Sequence, residues 1–200
     1  QAAAECFEVV FAALKDPRGY QLDDRSRRAL LANPVTSFER MGEVFLAAKR
    51  NGLAVEAFRA AAKQGQGNPA TLGFNIARVH VETGKFQEAL SELQIYFDKK
   101  QASKGRAAYR LLARILKGLK KSGELVGQLE KLAAHDSENP SLKIFLADQY
   151  VAAGKFEKAR PLFEKALAKA SPADREAGHW GLSVLHRRGG RPRELLESLG

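Results

Sequence analysis

Apolar residues recur at three- and four-residue spacings along almost the whole chain, broken by short polar turns. This is the period of the amphipathic helix. Phe7, Val10, Phe11 and Leu14 make the first apolar stripe, and DPRG turns the chain after it. A second helix is predicted from Asp23 to Ala32, closed by Asn33-Pro34. Beyond that point one outline returns: FLAAKRNGLAVEAFRAA (45–61), ARVHVETGKFQEALSEL (77–93), LKGLKKSGELVGQLEKL (116–132), ADQYVAAGKFEKARPLF (147–163) and SVLHRRGGRPRELLESL (183–199). Each copy has an apolar helix and a glycine, and in three of them a bulky apolar residue follows two positions later, as Phe86, Leu125 and Phe156. An alanine stands five positions after the glycine in three copies, as Ala57, Ala89 and Ala159, with Gln128 and Leu195 in its place in the other two. The turn glycines on this reading are Gly52, Gly84, Gly123, Gly154 and Gly190, at gaps of 32, 39, 31 and 36 residues.

Repetition at such a period marks a helical array in which no unit buries its apolar face alone. Asn68-Pro69, Asn139-Pro140 and Pro172 punctuate the joints, where proline stops one helix and asparagine caps the next. The glycines, the small residues Ala77 and Ala147, and the fillers Phe86, Leu93, Phe156 and Phe163 together resemble the tetratricopeptide repeat, from Pro34 to Gly200. The resemblance implies an all-α fold, a right-handed superhelix (solenoid) of antiparallel helix pairs. The expected organisation is an irregular N-terminal pair or cap at 1–33, then about five repeats at 34–68, 69–103, 104–138, 139–172 and 173–200, the last truncated. The resemblance further implies a binding surface lined by the first helix of each pair.

Charge changes this picture at one place. The chain carries a formal +10, and the stretch from Lys99 to Lys121 supplies nine Lys or Arg and no acid. The remainder is nearly neutral, unlike a nucleic-acid binder with widely spread charge. The apolar fraction of 44% and charged fraction of 28% fit a packed protein rather than a disordered one. The single cysteine, Cys6, excludes an internal disulfide and suits a reducing compartment such as the cytoplasm. No apolar run reaches the ~18 residues of a membrane span. The start lacks the basic segment of a signal peptide, and the abrupt ends read as those of a fragment.

Candidate chemistry is sparse. The sequence has no HExxH, CxxC, Walker A or GxSxG stretch. His80 and His135 fall in different repeats, and His179 and His186, seven apart in the last, have no third ligand placed with them as a zinc site needs. The reading is therefore no enzyme, no catalytic residue, no metal and no cofactor. PPR-type RNA binding has a similar period, but the glycine and alanine pattern favours the tetratricopeptide type. Tyr109 is also the only aromatic interleaved in the basic stretch.

Placed on a helical wheel at ~100° per residue, Arg106, Arg110, Arg114, Lys117 and Lys121 form one stripe, opposite Ala108, Leu112, Ile115 and Leu119. No acid on the same helix offsets the stripe, so an external anion is expected. The partner-binding set read from this register is Asn75, Arg78, Arg110, Arg114, Lys117, Lys121, Phe145 and Trp180. Some members of the resembled family clamp a peptide's terminal carboxylate with Asn, Lys and Arg from three successive repeats. Asn75, Arg110 and Arg114 are similar to part of that set, but Gly42 and Leu46 stand where the first pair belongs, so the full clamp is absent. The functional expectation is a protein-protein interaction scaffold that holds an acidic partner segment. RNA binding by the basic helix and self-assembly through terminal repeats are the alternatives.

Overall fold

The computed structural model describes residues 2–64, 68–99 and 104–188. Every regular element among them is helical, and the chain divides into two compact units, Gln1–Lys99 and Lys100–Gly200. The first unit holds α1 (Ala2–Lys15), α2 (Asp24–Leu30), α3 (Pro34–Ala47), α4 (Asn51–Lys63), α5 (Pro69–Glu82) and α6 (Phe86–Asp98). The second holds α7 (Arg106–Gly118), a 3₁₀ turn (Ser122–Glu124), α8 (Leu125–His135), α9 (Pro140–Ala152), α10 (Phe156–Leu167) and α11 (Pro172–Arg188). The fold is all-α and of the helical-repeat type, with α3 against α4, α5 against α6 and α9 against α10.

Local chemistry sets where these helices start. Asn33, Asn68 and Asn139 each precede a proline in the first turn. Their side-chain oxygens accept from the backbone N–H groups of Thr36 (3.4 Å), Ala70 (2.9 Å) and Leu142 (3.1 Å). Proline supplies a preset φ at a position whose N–H has no helical partner, so Asn-Pro is a complete start signal. Asp23 caps α2 in the same manner, accepting from Arg25 and Ser26 at 2.9 Å. The Ser26 hydroxyl, which also donates to it, lowers its pKa.

The helix ends correct the sequence register. Gly52 lies inside α4 and Gly123 inside the 3₁₀ turn, so neither makes the turn between paired helices. The left-handed residues that do so are Lys49 (φ 59°), Gly84 (φ 73°), Lys120 (φ 60°) and Gly154 (φ 70°), which lie 35, 36 and 34 residues apart. All four turns close alike. The residue after the left-handed one donates back across the turn, as in Arg50 to Phe45 (2.8 Å), Lys85 to His80 (2.8 Å), Lys121 to Leu116 (2.7 Å) and Lys155 to Tyr150 (2.8 Å). This is the Schellman closure, which favours glycine without requiring it. Lysine fills the position twice, and so residue identity concealed the true period. In the corrected frame the alanines five positions after the left-handed residue are Ala54, Ala89 and Ala159, all fully buried, and Ala57, three positions after Ala54, is buried as well. Leu125, not Gln128, interrupts the series. Correspondingly, α8 buries only Leu129 and packs less closely on α7 than the other second helices do on their partners. Gly190 and Leu195 lie outside the described residues.

The first unit is centred on Phe11, Phe38, Met41, Phe45 and Phe58, with Phe7 and Val10 packed at its margin. Phe11 meets Phe38 and Phe45 edge to face, so α1 is sealed onto α3 by aromatic contact. Gly42 is needed because a Cβ there would fall 2.4 Å from the Phe58 ring. In the second unit Leu112, Ile115, Leu116, Leu142, Ile144, Phe163 and Leu185 are buried. Asn139 ties two helices together there, as its side-chain amide donates to the Tyr109 hydroxyl (3.1 Å) and to Asp136 (2.9 Å). The Tyr150 hydroxyl donates to Glu130. Burial, then that acceptor, push its pKa up to about 12.

Candidate functional site

The second unit carries a cationic depression. α7 begins just after Gly105, which has a φ of 49°, and Arg106 and Arg110, four residues apart, share one face of it. The starts of α9 and α11 form the opposite wall. A hollow of about 560 Å³ results, lined among others by Lys104, Arg106, Arg110, Ser141, Lys169 and Asp174. Arg110, Arg114 and Lys117 are exposed, while Leu111, Leu112, Ile115 and Leu116 are buried beneath them. The helix thus points its cations outward and spends its apolar side on packing.

The acids that α7 lacks come from its neighbours. The Asp174 carboxylate lies 3.8 Å from the Arg106 side chain, and accepts from the Ser141 (2.8 Å) and Ser171 (3.0 Å) hydroxyls. One carboxylate therefore links α7, α9 and α11 at their N-terminal ends. Asp148 of α9 faces the same arginines. Burial pushes its carboxyl up to about 6, against the opposing pull of Arg106 and Arg110. Glu138 pairs with Lys169, whose hydrogen bond lowers its pKa. The face is cationic in sum but has acids within it.

A second hollow, of about 440 Å³, adjoins the first through the shared residues Arg106 and Ala173. It is completed by Glu176, Ala177, His179, Trp180 and Ser183 of α11. Trp180 is 67% exposed, and the Arg187 guanidinium stands 5.9 Å from the ring centre.

The other expected site residues are placed differently. Asn75 is 3% exposed and faces the interior of the first unit, with its side-chain oxygen lacking a hydrogen-bond partner, so it presents nothing to a ligand. Arg78, also in the first unit, makes a two-pronged ion pair with Glu43 and stands over Phe74. Phe145 is 9% exposed and packs on Tyr109 at 6.0 Å between ring centres, which makes it wall rather than contact surface. Lys121 lies past the end of α7, in the turn, 3.4 Å from Glu124. Arg110, Arg114 and Lys117 share the exposed face of α7, and Trp180 lines the second hollow together with Arg106. The structure adds Lys104, Arg106, Ser141, Asp148, Lys169 and Asp174. Arg106 already stood on the cationic stripe of the sequence, whereas no local signal announced Ser141 and Asp174, which meet across 33 residues of chain.

Among the described residues no three or more His, Cys, Asp or Glu side chains gather as metal ligands, and no helix is long and apolar enough to cross a membrane.

Comparison with known families agrees with this geometry. Residues 146–194, from the middle of α9 past the described end of α11, match the tetratricopeptide repeat model. The described residues form an all-α helical-repeat fold, and the matched segment is similar to the tetratricopeptide repeat, a module that generally mediates protein-protein interaction. A solved structure described as the crystal structure of MamA protein is similar at 13% identity with a TM-score of 0.48, covering 84% of this chain and 89% of that one. No curated protein matches the chain.

Proposed function

We propose that this protein is a non-catalytic interaction scaffold whose second unit receives an acidic segment of a partner protein. The observation that carries the reading is the exposed face Arg110, Arg114 and Lys117, which continues at Arg106 and Lys104 into an open hollow. Arginine forms bidentate bonds to carboxylates, and a row of cations speeds the encounter with an anionic segment. The apolar side of α7 is fully used in packing, which disfavours a membrane as the occupant. The first unit contributes scaffold, since Asn75 is buried and Arg78 is already paired.

The test is capture from a lysate of the source organism on immobilised protein, wild type against Arg110→Glu/Arg114→Glu, with and without nuclease. Protein partners that survive nuclease and fall by about tenfold or more in the double variant are expected, with helical circular dichroism unchanged. Capture indifferent to the double substitution would remove the reading. Partners lost on nuclease treatment alone would shift it to nucleic acid.

A further inference from the structure

We propose that the acidic segment also carries a large apolar side chain, and that this side chain docks beside Trp180. The proposal rests on the acidic-segment reading and adds a second, specificity-determining subsite to it. The two hollows are neighbours that share Arg106 and Ala173 in their walls, so one extended peptide can span both. They differ in chemistry. The first is ringed by Lys104, Arg106, Arg110 and Lys169. The second offers the Ala173 and Ala177 methyls and the face of an indole.

Trp180 is the chain's sole tryptophan and its most exposed large apolar residue among those described. Such exposure costs free energy in isolation and is recovered when an apolar group covers the ring. Aromatic side chains of this kind, set next to arginine, dominate binding energy at protein interfaces. Charge alone does not discriminate among acidic segments, whereas an aromatic wall beside a cationic row admits only those with the apolar residue in the right register.

A peptide suits this face better than a nucleic acid. Asp148, Asp174 and Glu176 lie within it and would repel a continuous phosphate backbone. A peptide places its few carboxylates selectively, against Arg110 and away from Asp174.

The experiment uses dye-labelled short peptides of Asp, Glu, Ser and Gly, one series without apolar residues and one with a single Phe moved along the acidic run. Fluorescence anisotropy reads affinity, and the emission of the single tryptophan reads occupancy of the subsite. One Phe register is expected to bind about tenfold or more tighter than the all-acidic peptide and to shift Trp180 emission. Trp180→Ala should erase that gain yet leave the all-acidic peptide bound as before, and Trp180→Phe should restore part of it. If the all-acidic peptide binds and no Phe position improves it, the subsite is refuted while the acidic receptor stands. If neither series binds, both fall. Quenching of Trp180 by oligouridylate below the concentrations at which any peptide acts would also overturn the proposal.

Discussion

Asp148 shows how a single side chain is set by its surroundings. Two arginines face it, yet its carboxyl titrates near 6 rather than the ordinary 3.8, because burial penalises its charge more than Arg106 and Arg110 reward it. The folded protein therefore holds this proton over a range in which the unfolded chain has released it. The stability Asp148 contributes is full below about 3.8 and is lost as pH rises through about 6. Asp148→Asn keeps the size and removes the loss. It should stabilise the fold at neutral pH by on the order of 1 kcal/mol, once solvent screening of a partly open group is allowed for. Urea unfolding of wild type and variant at pH 5 and pH 7 checks this, and an unchanged pH dependence in the variant would refute it. Asn75 teaches the complementary lesson. A polar residue beside Arg78 reads as surface, yet it is buried against the Phe58 side of the first unit.

At the scale of the element, the repeating feature is the turn rather than the glycine. Lys49 and Lys120 adopt the left-handed conformation that Gly84 and Gly154 adopt, and close the same hydrogen bonds. A Cβ makes that conformation cost roughly 1–2 kcal/mol, partly offset by the greater freedom glycine loses on folding. Lys49→Gly and Lys120→Gly should each stabilise by about 0.5–1 kcal/mol. The expected readout is a higher urea midpoint at unchanged slope. A midpoint that falls in both variants would mean the turns are held by lysine side-chain contacts instead. Helix starts were legible because Asn-Pro states the cap and the first turn together. The turns at Gly84 and Gly154 were legible too, but those at Lys49 and Lys120 were not, since they lack the glycine that flags the others.

At the scale of the whole molecule, the charge is concentrated. One stretch contributes +9 to a formal net charge of +10. If these cations hold the ligand, affinity must depend on salt, for the Debye length falls from ~10 Å at ~0.1 M to ~3 Å at ~1 M. Binding of an all-acidic peptide should weaken by about tenfold or more over that range, measured by anisotropy. Gain from a correctly placed Phe at Trp180 should persist, because burial of apolar surface is not screened. A flat salt response would show that the cationic face is merely solvated.

The sequence alone determined the all-α repeat, two N-terminal helices, the Asn-Pro starts and the amphipathic character of α7. All of these follow from interactions within a few residues of one another: helical period, capping and the φ of proline. The tertiary structure decided which polar residues remain at the surface and what faces the cations. Asn75 and Phe145 turned inward, Arg78 found Glu43, and the acids opposite α7 arrived from α9 and α11. Such pairings join residues about thirty or more positions apart. They depend on how closely one helix approaches the next, which the size of a single side chain, such as Ala54 or Leu125, adjusts.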